Sequence, residues 1–171
     1  METLETLYKQ YYKTIYSYLF GLTRNAQTAE DLTQETFLQV IKSIPSFRGD
    51  SKVTTWIYGI ARNLWRKWAS RNKSADVDIS RIIDNFPDAS EASSPEKTVL
   101  DNERNRSIRL ALSSLPEHQR ELIILRDWHS LPYEDIARIV NRSLPWVKVN
   151  IYRSRLAFRK IYYQMEENCN D

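Results

Sequence analysis

Apolar residues recur three and four positions apart along most of this 171-residue chain, which is the spacing of one buried face of an α-helix. Three such segments occupy the N-terminal part, at about 4–22, 27–43 and 53–71, and two more follow near the C-terminus. The regular alternation of apolar and polar residues that marks a half-buried strand does not occur, and only 3 glycines are present. The pattern predicts an all-α fold.

The second segment separates its two faces clearly. Its predicted inner face comprises Ala29, Leu32, Thr33, Thr36, Phe37, Val40 and Ile44. The opposite face carries Asp31, Gln34, Glu35 and Leu38. A leucine exposed among acids and an amide could anchor a basic partner. Single exposed leucines are also common without any role. The residues alone leave both readings open.

The third segment carries chemistry suited to unpaired bases. Its predicted inner face comprises Val53, Ile57, Ile60, Ala61, Leu64 and Trp68. Its predicted outer face comprises Thr55, Tyr58, Gly59, Arg62, Asn63 and Arg66, with Lys52 nearby. Aromatic rings stack on bases, amides read base edges and guanidinium groups bind phosphates. The preceding loop at 46–51 could form one wall of a pocket for a base. An aromatic core with a basic, solvated exterior would explain the same residues without any binding role.

Two short helical patterns near the C-terminus predict a helix-turn-helix. The first pattern has inward positions at Tyr133, Ile136, Ala137 and Val140. The second has inward positions at Val147, Ile151, Ser154, Phe158 and Ile161, and outward positions at Lys148, Tyr152, Arg153, Arg155, Arg159 and Lys160. A helix that packs by one face and is positive on the other suits a DNA major groove. We expect Asn141 to take the left-handed conformation in the turn and Ser143 to cap the second helix.

Charge divides the chain more sharply than its net value of +3 indicates. Residues 72–103 carry eight acids and three bases, whereas residues 104–160 carry five acids and twelve bases. The acidic stretch contains Pro87 and Pro95 among serines and acids, a composition that buries little apolar surface. The predicted organisation is therefore a helical domain at 1–72, a flexible acidic linker at 73–100 and a basic helical domain at 101–171, which points to a nucleic-acid partner.

Composition excludes several other classes of protein. A single cysteine, Cys169, permits no intrachain disulfide and suits a reducing cytosol. Two histidines on separate segments, expected at the surface or at helix caps, make a structural zinc site improbable. No apolar run approaches the ~20 residues of a membrane span, and the N-terminus has no secretory signal pattern. We expect a cytoplasmic protein without metal or cofactor.

Six short runs, in order and in register, resemble the extracytoplasmic-function (ECF) sigma factors of the sigma-70 family. Three of them, at 29–37, 47–51 and 55–63, are similar to sigma domain 2. The other three, at 115–121, 133–137 and 147–148, resemble sigma domain 4. The resemblance implies a three- to four-helix bundle for domain 2, a helix-turn-helix for domain 4 and a variable linker between them.

The resemblance assigns roles to the predicted faces. It implies that Asp31, Gln34, Glu35 and Leu38 bind core RNA polymerase. It implies that the −10 promoter element is bound and melted by Phe47, Arg48, Lys52, Trp56, Tyr58, Arg62, Asn63 and Arg66. It implies that the −35 element is read by Trp146, Lys148, Val149, Tyr152 and Arg153, while Arg155 and Arg159 bind phosphates or remain solvated.

The implied partners are core RNA polymerase, through its beta-prime clamp and beta flap, promoter DNA, and an anti-sigma factor at the membrane. Initiation at the promoters of a stress or envelope regulon would be the function. An ordinary helix-turn-helix regulator is the alternative, but it leaves the face around Asp31 without a role. An enzyme acting on nucleic acid would need converging acids or a nucleophile–base pair, which the sequence does not show. The chain is expected not to be an enzyme.

Four positions depart from the family pattern. Pro132 replaces the usual Ser or Thr cap at the start of the helix-turn-helix, and Asn141 replaces the turn glycine. Pro145 and Trp146 occupy positions that small residues usually hold. Proline is tolerated in the first turn of a helix, so the fold is expected to persist. The bulk of Trp146 makes the −35 preference hard to infer.

Overall fold

The structure, a computed structural model, describes residues 4–72 and 99–169. All regular structure in these two ranges is helical, so the predicted all-α fold is confirmed. The helices are α1 (Leu4–Thr23), α2 (Ala26–Ser43), α3 (Val53–Arg71), α4 (Val99–Ser113), α5 (Glu117–Ile123), α6 (Tyr133–Val140) and α7 (Leu144–Cys169). A 3-10 turn, Ile44–Ser46, follows α2, and a π-helical stretch, Ile124–Trp128, extends α5.

The N-terminal half is a bundle in which α2 and α3 pack against α1. The side chain of Asn25 begins α2 by accepting a hydrogen bond from the Thr28 amide at 2.9 Å. The predicted inner face of α2 is buried except at Ile44, which is 36% exposed. Ile44 caps the helix in helical geometry, with its amide donating to the Val40 carbonyl, so the predicted face loses its cover only at the end of α2.

The C-terminal half contains the predicted helix-turn-helix, formed by α6 and α7. Asn141 has φ 53° and ψ 54°, the left-handed conformation expected for the turn. The Arg142 amide donates to the Ala137 carbonyl at 3.0 Å, which closes the end of α6. The Ser143 hydroxyl accepts from the Trp146 amide at 3.3 Å and so caps α7 as predicted.

The two halves pack against each other, which the sequence did not indicate. Helix α3 contacts α6, and α1 contacts α5 and its π-helical extension. Near the end of α1, Arg24 donates to the Ser113 carbonyl at 3.0 Å, and the buried Arg120 donates to the Leu22 carbonyl at 3.4 Å. Burial lowers the pKa of Arg120 to about 10. Polar groups as well as apolar side chains therefore join the halves.

His129 lies at the contact between the halves. It follows the π-helical stretch as a cap residue, but its ring is enclosed between Tyr18 and Tyr58, with centroid distances of 6.4 and 5.8 Å. Burial lowers the pKa of His129 to about 4. Its Nε2 has no hydrogen-bond partner among the described residues. His129 is therefore a cap residue, one of the two placements expected for it, and the packing of the halves covers much of its ring.

The predicted linker, with its prolines and its apolar residues Ile79, Ile82, Ile83 and Phe86, falls largely on residues 73–98, which lie outside the described residues. Among the helices that are described, none is both long enough and apolar enough to cross a membrane. The described residues also contain no group of three or more His, Cys, Asp or Glu placed to hold a metal ion.

Replacing Asn141 tests the left-handed turn between α6 and α7. Asn141→Val is expected to lower the free energy of unfolding by about 1–2 kcal/mol, because a β-branched residue is strained at positive φ. Asn141→Gly is expected to be neutral or stabilising, since glycine adopts this conformation without strain. Denaturant-induced unfolding of both variants and the parent protein measures the difference. If both variants lose the same unfolding free energy, a left-handed conformation at Asn141 does not explain the effect and the prediction is wrong.

The buried His129 predicts a dependence of stability on pH. Because its folded pKa of about 4 lies below the ordinary 6.5, the unfolded chain takes up a proton first as the pH falls. The stabilisation is complete above pH 6.5 and is lost between pH 6.5 and 4, by up to about 3 kcal/mol. We expect His129→Phe to flatten the slope of unfolding free energy against pH in this range, and His118→Gln, at an exposed position, to leave it unchanged. Identical slopes in all three proteins would refute the prediction.

Candidate nucleic-acid interface

The acidic and apolar face predicted on α2 lies on the surface. Leu38 is 49% exposed, Asp31 and Gln34 are exposed, and Glu35 is half-buried. Hydrogen bonds along the helix order this face, since Gln27 donates to Asp31 at 3.0 Å and Gln39 donates to Glu35 at 3.1 Å. The helical spacing alone brings these side chains together, as the sequence predicted. The arrangement suits a docking surface with one apolar anchor and a negative rim.

The loop before α3 places an aromatic pair at the surface of the N-terminal half. The rings of Phe47 and Trp56 lie 4.6 Å apart, inclined at 32°, and both side chains are half-buried. Arg48, Asn63 and Arg66 are exposed. The aromatic pair can offer a ring to an unstacked base, while the amide and guanidinium groups can bind its edge and its phosphate.

Gly59 leaves open space on α3. A Cβ atom built at this position would meet nothing within 4 Å. A mid-helix glycine costs about 1 kcal/mol relative to alanine. The open space permits the backbone of another molecule to approach this turn of the helix closely.

The prediction that Thr55 and Tyr58 face outward is wrong. Thr55 is 6% exposed and Tyr58 is 1% exposed. The ring of Tyr58 packs edge-on against Tyr18, with centroids 5.1 Å apart, and its hydroxyl has no hydrogen-bond partner among the described residues. Burial raises the pKa of this hydroxyl. Tyr18 of the same half and His129 of the C-terminal half both cover Tyr58, and the sequence pattern of one helix cannot reveal that cover.

Arg62, another residue predicted on the outer face of α3, forms a buried ion pair with the other half. Its Nε and Nη2 donate to the two carboxylate oxygens of Glu121, at 2.6 and 3.3 Å. The Tyr18 hydroxyl donates to the same carboxylate at 3.0 Å. The Arg62 and Glu121 side chains are only 12% and 4% exposed. Burial lowers the pKa of Arg62, but the Glu121 carboxylate outweighs it, and the pKa is raised overall.

Lys52 forms a second ion pair between the halves. Its Nζ lies 2.9 Å from Oδ2 of Asp135 on α6, at the rim of the contact, where the lysine remains 67% exposed. Next to it, Arg138 donates to the Asp50 carbonyl at 3.1 Å. Sequence reasoning missed both acids, Glu121 and Asp135. The helical pattern gave no signal for Asp135, because it lies away from the predicted inward face of α6 and is buried where α3 contacts this helix.

The outer face of α7 is exposed and basic, as predicted. Tyr152 is 64% exposed, Val149 is 47% exposed, and Lys148 and Arg153 are also exposed. Trp146 instead lies half-buried against the core, and the Arg142 guanidinium sits 5.2 Å from its ring centre. Its packing restricts it to the edge of the surface that the other four residues form.

Arg155, on the flank of α7, is held within the C-terminal half. Its Nε and Nη2 donate to the Asp127 carboxylate at 3.0 and 2.5 Å. The carboxylate raises the pKa of Arg155 further above its ordinary value. Arg159, one turn later, is exposed. The basic stripe of α7 is therefore partly neutralised at its middle.

Comparisons with known proteins cover both halves. Residues 7–75 match the family model for sigma-70 region 2, and residues 105–158 match that for sigma-70 region 4. The chain is 34% identical to the RNA polymerase sigma factor YlaC of Bacillus subtilis over 160 residues, 93% of this chain and 91% of the relative. It is 36% identical to the ECF RNA polymerase sigma-E factor of Escherichia coli K12 over 134 residues, 74% of this chain and 70% of the relative.

Two solved structures share the fold. The sigma factor RpoE of Bartonella quintana, in complex with the anti-sigma factor NepR, gives a TM-score of 0.69 at 22% identity, covering 92% of this chain and 94% of that one. CnrH, in complex with the cytosolic domain of CnrY, gives a TM-score of 0.61 at 18% identity, covering 92% and 86%. With matches in both halves and relatives aligned along most of its length, the chain belongs to the ECF sigma factors of the sigma-70 family.

Proposed function

We propose that this sigma factor binds the beta-prime clamp of core RNA polymerase through α2 and directs the enzyme to promoters that it reads at two sites. The observation that carries the proposal is the exposed, ordered face of Asp31, Gln34, Glu35 and Leu38. A regulator that binds duplex DNA alone would need α6 and α7 but would have no use for this face. The clamp contact is therefore the feature that separates the two functions.

The −10 element is assigned to the loop before α3 and to α3 itself. Melting DNA costs about 1.4 kcal/mol per stacked step, and stacking a base on an aromatic ring recovers about 1–3 kcal/mol. The Phe47–Trp56 pair and the exposed Asn63 can therefore hold a few unpaired bases once polymerase positions the strand. Arg48, Lys52, Arg62 and Arg66 would supply phosphate contacts, and Tyr58 would add a ring when it is uncovered. The process needs no catalytic group, in keeping with a factor that is not an enzyme.

The −35 element is assigned to the exposed face of α7. Lys148 and Arg153 would pair with base edges, while Val149 and Tyr152 would add apolar and ring contacts. Trp146 would contribute from the edge, because it is half-buried. Contacts from α7 to phosphates position the helix but carry no sequence information.

The remaining partners are proposed from the family. The beta flap of polymerase would hold the C-terminal half, and an anti-sigma factor, at the inner face of the membrane, would keep the factor inactive in the cytoplasm. The solved structure of RpoE with the anti-sigma factor NepR supports an inhibitor of this class. Affinity purification of the tagged chain from its own cells, with and without detergent, would identify such a partner.

Leu38→Ala tests the polymerase contact. We expect its affinity for core RNA polymerase to fall about tenfold or more, because truncating a central apolar anchor commonly costs about 2 kcal/mol or more. Leu4→Ala is the matched control, since Leu4 is 37% exposed against 49% for Leu38 but lies at the start of α1. Competition against a labelled sigma factor for core enzyme measures both. Equal affinities for the two variants would contradict the proposed docking face.

Arg153 and Arg159 distinguish base reading from phosphate binding. Arg153→Gln is expected to lower promoter affinity by about 1–3 kcal/mol and to relax sequence preference at one −35 position. Arg159→Gln is expected to weaken binding to all sequences similarly. It should also reduce the slope of log affinity against log salt concentration by about one, because one phosphate contact is lost. Binding of holoenzyme to a randomised −35 library at two salt concentrations checks both. If Arg153→Gln weakens binding to all −35 sequences equally, Arg153 does not contact a base edge and the prediction is wrong.

A further inference from the structure

An apolar groove opens on the C-terminal half, between α4, the π-helical stretch and α7. It encloses a volume of about 490 Å³. Apolar and aromatic side chains form most of its lining, and the remainder is Asp127, Arg155 and Arg159. Small-molecule sites in proteins have volumes of about 300–1,000 Å³ and mostly apolar walls with a few polar groups. The groove matches that description in size and in chemistry.

Aromatic rings form one wall of the groove. The rings of Phe158 and Tyr162 lie nearly parallel, with centroids 6.1 Å apart and planes inclined at 19°. The Tyr163 ring stands edge-on to Tyr162, also at 6.1 Å, and is 55% exposed. Leu112 and Ile123, which also line the groove, are 3% and 8% exposed. An apolar molecule in the groove would therefore contact both aromatic rings and aliphatic side chains.

The π-helical stretch forms another wall. The His129 amide donates to the Ile124 carbonyl, five positions earlier, at 2.9 Å. Ile123 and Trp128, which are also five positions apart, both line the groove. Single π-helical turns are rare in helices and occur frequently at functional sites. The geometry of this stretch thus supports a binding site independently of the volume of the groove.

Two arginines stand at the groove, and one of them is already paired. Arg155 donates to the Asp127 carboxylate through two nitrogens. Arg159, one turn later on α7, is exposed, and no hydrogen bond or ion pair joins it to another described residue. A guanidinium beside an apolar groove is complementary to an anion with an apolar body, because the anionic group pairs with the arginine while the body leaves water. A cation would instead meet a like charge.

Part of the groove lies beyond the segment that matches the family model. The match to sigma-70 region 4 ends at residue 158, whereas α7 extends over Leu144–Cys169. Arg159, Tyr162 and Tyr163 belong to this continuation of the helix. The unpaired charge and two of the rings are therefore supplied by residues outside the matched segment.

We propose that this groove binds a small amphipathic anion, whose carboxylate or similar group pairs with Arg159 and whose aromatic or alkyl body lies against Phe158, Tyr162 and Tyr163. The site needs neither polymerase nor DNA. Arg159 is also a candidate phosphate contact, so the ligand would compete with DNA for this cation. That consequence, unlike the site itself, rests on the function proposed above.

Titration of the isotope-labelled full chain with naphthoate, an aromatic carboxylate, tests the site by nuclear magnetic resonance. Naphthylmethylammonium, which has the same ring system and a positive charge, is the control ligand. Arg159→Gln removes the proposed anion contact, and Lys160→Gln is its matched control, since Lys160 is the next residue, is exposed and does not line the groove. Tyr163→Ala removes one exposed ring. Its matched control is Tyr8→Ala, at a tyrosine that is 44% exposed on α1.

We expect naphthoate to shift the Trp128 indole signal and the amide signals of residues 158–163 in a saturable way, and naphthylmethylammonium to leave them unchanged. Arg159→Gln should weaken naphthoate binding about fivefold, the effect of one exposed ion pair. Tyr163→Ala should weaken it about threefold, the effect of one aromatic contact. Both control variants should bind naphthoate as the parent protein does.

Equal binding of the anion and the cation, or signal changes scattered over the surface, would overturn the proposal, because either result shows adhesion to apolar side chains alone. An Arg159→Gln variant that binds naphthoate as tightly as Lys160→Gln does would overturn it as well. If Tyr163→Ala loses helical content by circular dichroism, these two charge variants at exposed positions decide.

A helix of core RNA polymerase is the other occupant that an apolar groove could accept. In that case naphthoate would not bind the free chain, Tyr163→Ala would lower the affinity for core enzyme, and the proposal would be overturned. Failure of the proposed function would look different. Naphthoate binding would remain intact, since it is measured without polymerase or DNA, but the chain would not direct polymerase to promoters.

Discussion

The carboxylate of Glu121 is the group on which the arrangement of the two halves depends. It belongs to α5, yet the hydrogen bonds that it accepts come from Arg62 and Tyr18 in the N-terminal half. The pair with Arg62 is nearly removed from water. An intact buried pair stabilises little, but removing one partner typically costs about 3–5 kcal/mol because the other charge is left unpaired. The ion pair therefore determines how the two halves are oriented against each other, and it contributes little to the free energy of folding.

Size explains why two such halves would pack at all. Domains of roughly this length bury a modest fraction of their surface and are marginal when alone. Tyr58 and Ile57 on α3 and Leu122 and Leu125 beside α5 belong to one continuous apolar cluster. Each half thus gains buried area by packing against the other.

The accuracy of the sequence predictions follows the range of the interactions involved. The turn at Asn141, the cap at Ser143 and the exposed face around Leu38 depend on residues a few positions apart, and helical spacing predicts them correctly. The surroundings of Arg62 and Lys52 depend on partners 59 and 83 positions away. Periodicity gives the face of a helix but not what covers it, so the outward placement of Tyr58 was wrong.

The family resemblance could not repair that gap, because it assigns roles to residues without stating which of them are accessible in the free chain. Its assignments for α2, α3 and α7 remain predictions at the level of single side chains.

The ion pair between Arg155 and Asp127 has a consequence for the electric field around α7. It cancels a positive charge halfway along α7, so the uncompensated cations gather in the first turns, around Lys148 and Arg153, and again near Arg159. A duplex approaching this surface would meet the strongest attraction at the amino end of the helix, where the aligned peptide dipoles add to it. In the proposed complex with DNA, this field would favour an approach led by the amino end of α7.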